Sequence, residues 1–145
     1  MATKKKVSAA DLGIDLRAMN EEEYFKWLLA CLLFGKPIQQ EVAVHAYREF
    51  VAAGLLSPEA IVNAGWNELV DILDRGHYVR FDYSTADKLI EVSLILIDQY
   101  EGKVTKLIES ATDEKDLAAR LDKLPGVGPT TVRIFMQGIG GGAGH

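Results

Sequence analysis

At 145 residues the chain has the length of one domain, and its 48% hydrophobic content suffices for one ordinary core. A formal net charge of -5 excludes a surface given over as a whole to polyanion binding, so any nucleic-acid site must be local. The single cysteine, Cys31, excludes an internal disulfide and a four-thiolate metal or iron–sulfur site; in the apolar run Trp27–Phe34 it reads as a buried, inert thiol.

Residues 1–19 carry a basic triplet, Lys4, Lys5 and Lys6, but no apolar stretch long enough for a signal-peptide core or a membrane span. They are expected to be a flexible N-terminal segment of an intracellular protein, in the cytoplasm or the nucleoid or nucleus, with no membrane partner. The triplet offers at most weak attraction to nucleic acid. Asn20, with Glu23 three residues on, makes a capping-box-like start to a largely buried helix, EEEYFKWLLACLLF, which Gly35 and Pro37 end. From Ile38, an amphipathic helix sets Ile38, Val42, Ala46 and Phe50 on one stripe, with Gly54 as its left-handed cap.

Ser57-Pro58 opens the short helix PEAIVNAG, and WNELVDIL forms another. After the loop DRGHYVRFDYS, Ser84 or Thr85 is expected to cap a long helix whose centre, LIEVSLILI, is apolar nearly all round and so belongs in the core. KVTKLIESA is a further short helix. DEKDLAARLDKL carries acidic residues in its first turn, as the helix dipole prefers. Pro129 then restarts a helix through TTVRIFMQ. With no convincing strand or repeat, the fold class is all-α, a compact bundle of about eight helices joined by short loops. The final GGGAGH carries no packing pattern. It fits equally a cloning scar, a frameshifted or truncated terminus, or a native flexible tail.

The stretch LPGVGPTT between the last two helices has its own chemistry. GVG supplies a turn tolerant of positive φ and a backbone without side chains, and Pro129 begins the next helix without spending a donor. The amides near Gly128, Thr130 and Thr131 then point outward at the positive end of a helix dipole, a cradle for an anion such as phosphate. The plainer reading is a compact turn with Leu124 and Val127 plugging the core.

Hydrophobic-Pro-Gly-hydrophobic-Gly followed by two small hydroxyl residues and an apolar helix resembles the helix–hairpin–helix motif of nucleic-acid-binding proteins. The order of the helices upstream extends the likeness. Residues 20–139 resemble the six-helix barrel domain of the endonuclease III-like DNA glycosylases, the helix–hairpin–helix-GPD superfamily. The resemblance implies duplex DNA as partner, gripped without sequence readout by the hairpin residues Gly126, Val127, Gly128, Thr130 and Thr131, with Lys123 and Arg133 in support. It implies a monovalent cation on the hairpin carbonyls, with no other cofactor. It places the loop Arg75-Gly76-His77-Tyr78 near the strand opposite a lesion, with Lys36 filling the gap left by a flipped base. The plainer reading of that loop is that Tyr78, Phe81 and Tyr83 anchor it to the core.

The likeness also has limits. The lyase-active members carry a lysine where this chain has Thr130, and threonine cannot form a Schiff base. The catalytic members place an aspartate after the hairpin's second helix, and no aspartate follows Asp122 here. The domains expected are a flexible 1–19, a glycosylase-like helical domain 20–139 and a glycine-rich tail 140–145. The function expected is DNA binding without catalysis. The alternatives are a base-excision-repair glycosylase drawing on other residues and a helical protein-interaction module. His45 is read as a core-edge residue, and Asp71, Asp74 and Asp82 as solvated or capping carboxylates.

Overall fold

The apolar run after Asn20 becomes the central helix. In the computed structural model, which describes residues 7–144 and the side chains of residues 7–140, α1 covers Glu21–Phe34 and buries every side chain from Trp27 to Leu33. Asn20 caps it by accepting the Glu22 N–H at 2.8 Å. Glu23 does not close a reciprocal capping box. It accepts the Asp15 N–H at 2.8 Å and pairs with Lys26 at 3.0 Å, which ties the preceding segment down.

Among the described residues six further α-helices follow α1: α2 (Gln40–Ala53), α3 (Pro58–Arg75), α4 (Asp82–Tyr100), α5 (Val104–Ser110), α6 (Glu114–Asp122) and α7 (Pro129–Gly144). The all-α class expected from the sequence is the class found, as a helical bundle. α1 packs against α2, α5 and α7, while α3 lies along α4 and touches α2. Gly54 caps α2 at φ 75, as expected, and Ser57 caps α3 by accepting the Ala60 N–H at 3.1 Å. The two short helices expected at 58–73 are found as the two halves of α3, which meet at Gly65, whose φ of 83 and ψ of 165 interrupt the helical path. Glu21 of α1 crosses 83 residues of chain to accept the Val104 and Thr105 N–H groups at 2.7 and 2.8 Å, so the dipole of α5 is capped by a carboxylate on another helix.

Four expectations are corrected. Residues 7–19 are not loose. They make 3-10 turns at Ala10–Leu12 and Leu16–Ala18 and bury Ala9, Ile14 and Leu16, apolar positions too few to show a period. Lys4, Lys5, Lys6 and His145 lie outside the described residues. The glycine-rich end is not a separate tail up to Gly144, because α7 runs to that residue. Glycine is a poor helix former, so helix there is propagated from the packed first turns around Phe135. α4 begins at Asp82 with Phe81 as its cap residue, leaving Thr85 buried inside the first turn rather than capping it. The LIEVSLILI centre is not wholly internal: Leu94 is 49% exposed and Ile97 37%.

Two glycines let backbones meet. A Cβ on Gly138 would land on the Trp27 indole, whose Nε1–H donates to the Phe135 carbonyl at 3.2 Å. A Cβ on Gly76 would lie 2.5 Å from the Ala46 Cα of α2. Gly76→Ala should therefore cost about 1–3 kcal/mol of stability in denaturant unfolding. A loss under about 0.5 kcal/mol would show that α2 and the α3–α4 loop part without penalty.

Candidate nucleic-acid interface

The hairpin between α6 and α7 is held from inside. Leu121, Leu124 and Val127 are buried, and the Val127 N–H donates to the Leu124 carbonyl at 3.1 Å. Val127 is thus removed from the predicted DNA contacts, since its side chain plugs the core and its amide is already used. The two glycines differ. Gly126 sits at φ 76 with the stem of Lys88 across it, 2.8 Å from where a Cβ would stand. Gly128 has no positive φ and nothing within 4 Å of a Cβ, so neither backbone conformation nor packing demands glycine there.

The first backbone bond of α7 runs from the Val132 N–H to the Gly128 carbonyl at 3.0 Å. The amides of Gly128, Thr130 and Thr131 precede it and meet no acceptor among the described residues. Pro129 contributes no donor. The Leu124 and Gly128 carbonyls each accept one N–H, from Val127 and Val132.

Other segments gather around this turn. A Cβ on Gly35 would fall on the Thr131 hydroxyl, so the turn after α1 is pressed against the first turn of α7. The Thr131 side chain is 3% exposed and serves packing, leaving only its amide for a ligand. Thr130, Lys123 and Arg133 are exposed. Lys36, next to Gly35, stands 5.6 Å over the Phe81 ring, and Arg80 stands 5.3 Å over the same ring. Lys36, Thr85, Lys88 and Gly126 line one small crevice. Lys88 also pairs with Glu91 at 3.4 Å. Arg120, though close in sequence, is committed elsewhere, to Asp116 at 3.0 Å and the Tyr100 hydroxyl at 3.3 Å.

The Arg75–Tyr78 loop is anchored rather than free. Arg75 pairs with Glu49 at 3.3 Å, and His77 is exposed in the left-handed region at φ 67. Tyr78 is 1% exposed and donates its hydroxyl to the Leu33 carbonyl at 2.6 Å. Burial pushes its phenol well above the ordinary range. The Tyr78 side chain therefore anchors the loop in the core, while Phe81 is half-buried and Tyr83 exposed. Arg80, Phe81 and Lys88 complete this face. Only Arg80 had a local signal, as a cation beside the loop; the other two arrive through tertiary packing.

A cavity of about 420 Å³ opens beside the first turns of α7, lined by Trp27, Phe34, Thr130, Arg133, Ile134 and Gln137 among others. Cys31 is buried and its thiol is pushed up by burial, so it offers no nucleophile. His45 is exposed and joins no cluster. Among the described residues no group of His, Cys, Asp or Glu side chains could hold a metal ion, and no helix is long and apolar enough to cross a membrane. No protein-family model matches the chain, and no curated protein sequence matches it.

The carboxylates between α3 and α4 are not all simply solvated. A hydrogen bond to Asp82, with some desolvation and the charges of Asp82 and Asp71, raises Asp74 above the usual carboxylate range. A raised folded pKa means that the native state holds this proton more tightly, and the benefit is lost as pH rises through that pKa. Asp74→Asn should therefore raise the melting temperature near pH 7, and the gain should vanish below about pH 4. An equal gain at both pH values would show that repulsion with Asp82 is not its source.

Proposed function

We propose that this chain binds the phosphate backbone of duplex DNA without reading base sequence, through the start of α7 and the cations beside it. The observation that carries the reading is the pairing at the hairpin. Gly128 has open space where glycine is not otherwise needed, and the Gly128, Thr130 and Thr131 amides around it lack internal acceptors. A helix start of this kind favours an anion through its N–H groups and its dipole. Lys36 and Lys88 line the crevice beside Gly126, Arg80 shares the Phe81 ring with Lys36, and Lys123 and Arg133 flank the turn in sequence, so positive charge is local in a chain of net charge -5. His77 sits on the neighbouring loop as a further contact. A monovalent cation on the Leu124 and Gly128 carbonyls would add positive charge facing the same phosphate. The resemblance to helix–hairpin–helix proteins points the same way.

Thr130, exposed in the first turn of α7, can donate a hydrogen bond but cannot form a Schiff base, so binding and strand chemistry are separate claims. The second reading, a DNA glycosylase, is favoured by the cavity beside Thr130, where Trp27 and Phe34 offer apolar walls and Arg133 and Gln137 polar groups. Its lining holds no carboxylate among the described residues, so a hydrolytic step there would draw its base from elsewhere.

Anisotropy titration of a labelled random-sequence duplex tests the first reading. Affinity should fall with salt at a log–log slope of roughly three to four, and Lys36→Ala should lower that slope by about one. Gly128→Leu should weaken binding by about tenfold or more with the melting temperature unchanged. No binding at low salt, or unchanged affinity in Gly128→Leu, would overturn it. Alkali-sensitive breaks in duplexes carrying damaged bases would instead bring in the glycosylase.

A further inference from the structure

We infer that the outer side of α4 is a docking seam for a cationic amphipathic helix of a partner protein. The inference is independent of the DNA-binding reading. A helix that is apolar nearly all round belongs inside a protein, yet α4 leaves one side uncovered. Tyr83 is 61% exposed, Leu94 49% and Ile97 37%, with Ile90 half-buried between them. With Asp87, these residues follow a heptad: Tyr83, Ile90 and Ile97 repeat every seven positions, and Asp87 and Leu94 fall between them. That is the spacing by which one helix receives another along its length.

The seam is also arranged in advance. The Trp66 ring of α3 lies 5.0 Å from the Tyr83 ring at a tilt of 48°, and its indole N–H donates to Asp87 at 2.9 Å, which holds an aromatic pair at one end.

Charge selects the occupant. Residues 58–100 carry eight carboxylates and three basic side chains. Of those three, Arg75 pairs with Glu49, Lys88 pairs with Glu91, and Arg80 stands over Phe81. Asp98 and Glu91 border the apolar stripe and Asp87 lies within it; all three are exposed, Glu91 paired with Lys88 and Asp87 accepting from Trp66. A second copy of this chain would set one row of carboxylates against another, and an anionic lipid surface would be repelled in the same way. A helix with leucine-type residues along one face and lysine or arginine beside them meets both the apolar stripe and its acidic border.

Trp66 supplies a reporter, since Trp27, the other tryptophan, is buried. The full chain is titrated with a synthetic lysine–leucine peptide whose leucines keep heptad spacing, and with a peptide of the same composition whose leucines are dispersed. Saturable binding of the first peptide is expected, with a shift in emission that Trp66→Phe removes. Leu94→Glu/Ile97→Glu, and the uncharged Leu94→Gln/Ile97→Gln, should each weaken it by about tenfold or more with the helical circular dichroism unchanged. Equal affinity for both peptides, or unchanged affinity in both double variants, overturns the inference. So does self-association of the chain, seen by sedimentation, that the double variants abolish, since the occupant would then be a second copy.

Discussion

The close approach of α7 to α1 sets the position of every other part of the candidate interface. It is possible because side chains are missing where the two helices meet. Gly35 yields its place to the Thr131 hydroxyl, and Gly138 yields its place to the Trp27 indole, whose N–H closes on the Phe135 carbonyl. Interiors are packed too densely to absorb an extra methyl group at such points without movement. With α7 seated in this way, its first turn stands beside Lys36, and the hairpin turn comes under Lys88 of α4. The Tyr78 hydroxyl on the Leu33 carbonyl fastens the remaining loop to the same end of α1, which brings Arg80 and Phe81 to the same face.

On the proposed reading, a negative chain can still hold a local site for a polyanion. Individually, exposed cations are worth little and are screened by salt. Gathered beside amides without acceptors at a helix start, they would act together on one phosphate or its neighbours, while Asp87 and Asp98 of α4 lie at a different, apolar surface. The two proposed partners are of opposite charge, one anionic and one cationic, and the surfaces proposed for them lie on different sides of α4. Lys88 turns toward the hairpin, and Leu94 and Ile97 turn away from the core.

Much of the helical architecture was legible because its signals are local. Asn20, Ser57 and Gly54 announce their helix ends through capping geometry, and the apolar runs announce their burial. The errors share a physical cause. Glu23 had two partners to choose from and took the amide of a segment packed onto it by other contacts. Tyr78 has the same side chain whether it reads a base or fills a core, and only the position of the Leu33 carbonyl decides which. Val127 and Thr131 sit in the hairpin proposed to bind, yet their side chains serve its packing.

The sequence by itself determined the helical class, the hairpin with its turn and restart at Pro129, and the lack of a lysine where Thr130 stands, because each depends on residues adjacent in the chain. Tertiary structure alone decided that Gly126 is required by φ and by Lys88 while Gly128 is left open. It also brought Lys36 and Lys88 to the hairpin, set Arg80 over the Phe81 ring that Lys36 shares, and left one side of α4 uncovered. Those outcomes depend on which distant surfaces come within a few ångströms of one another, and no local pattern of residues encodes that distance.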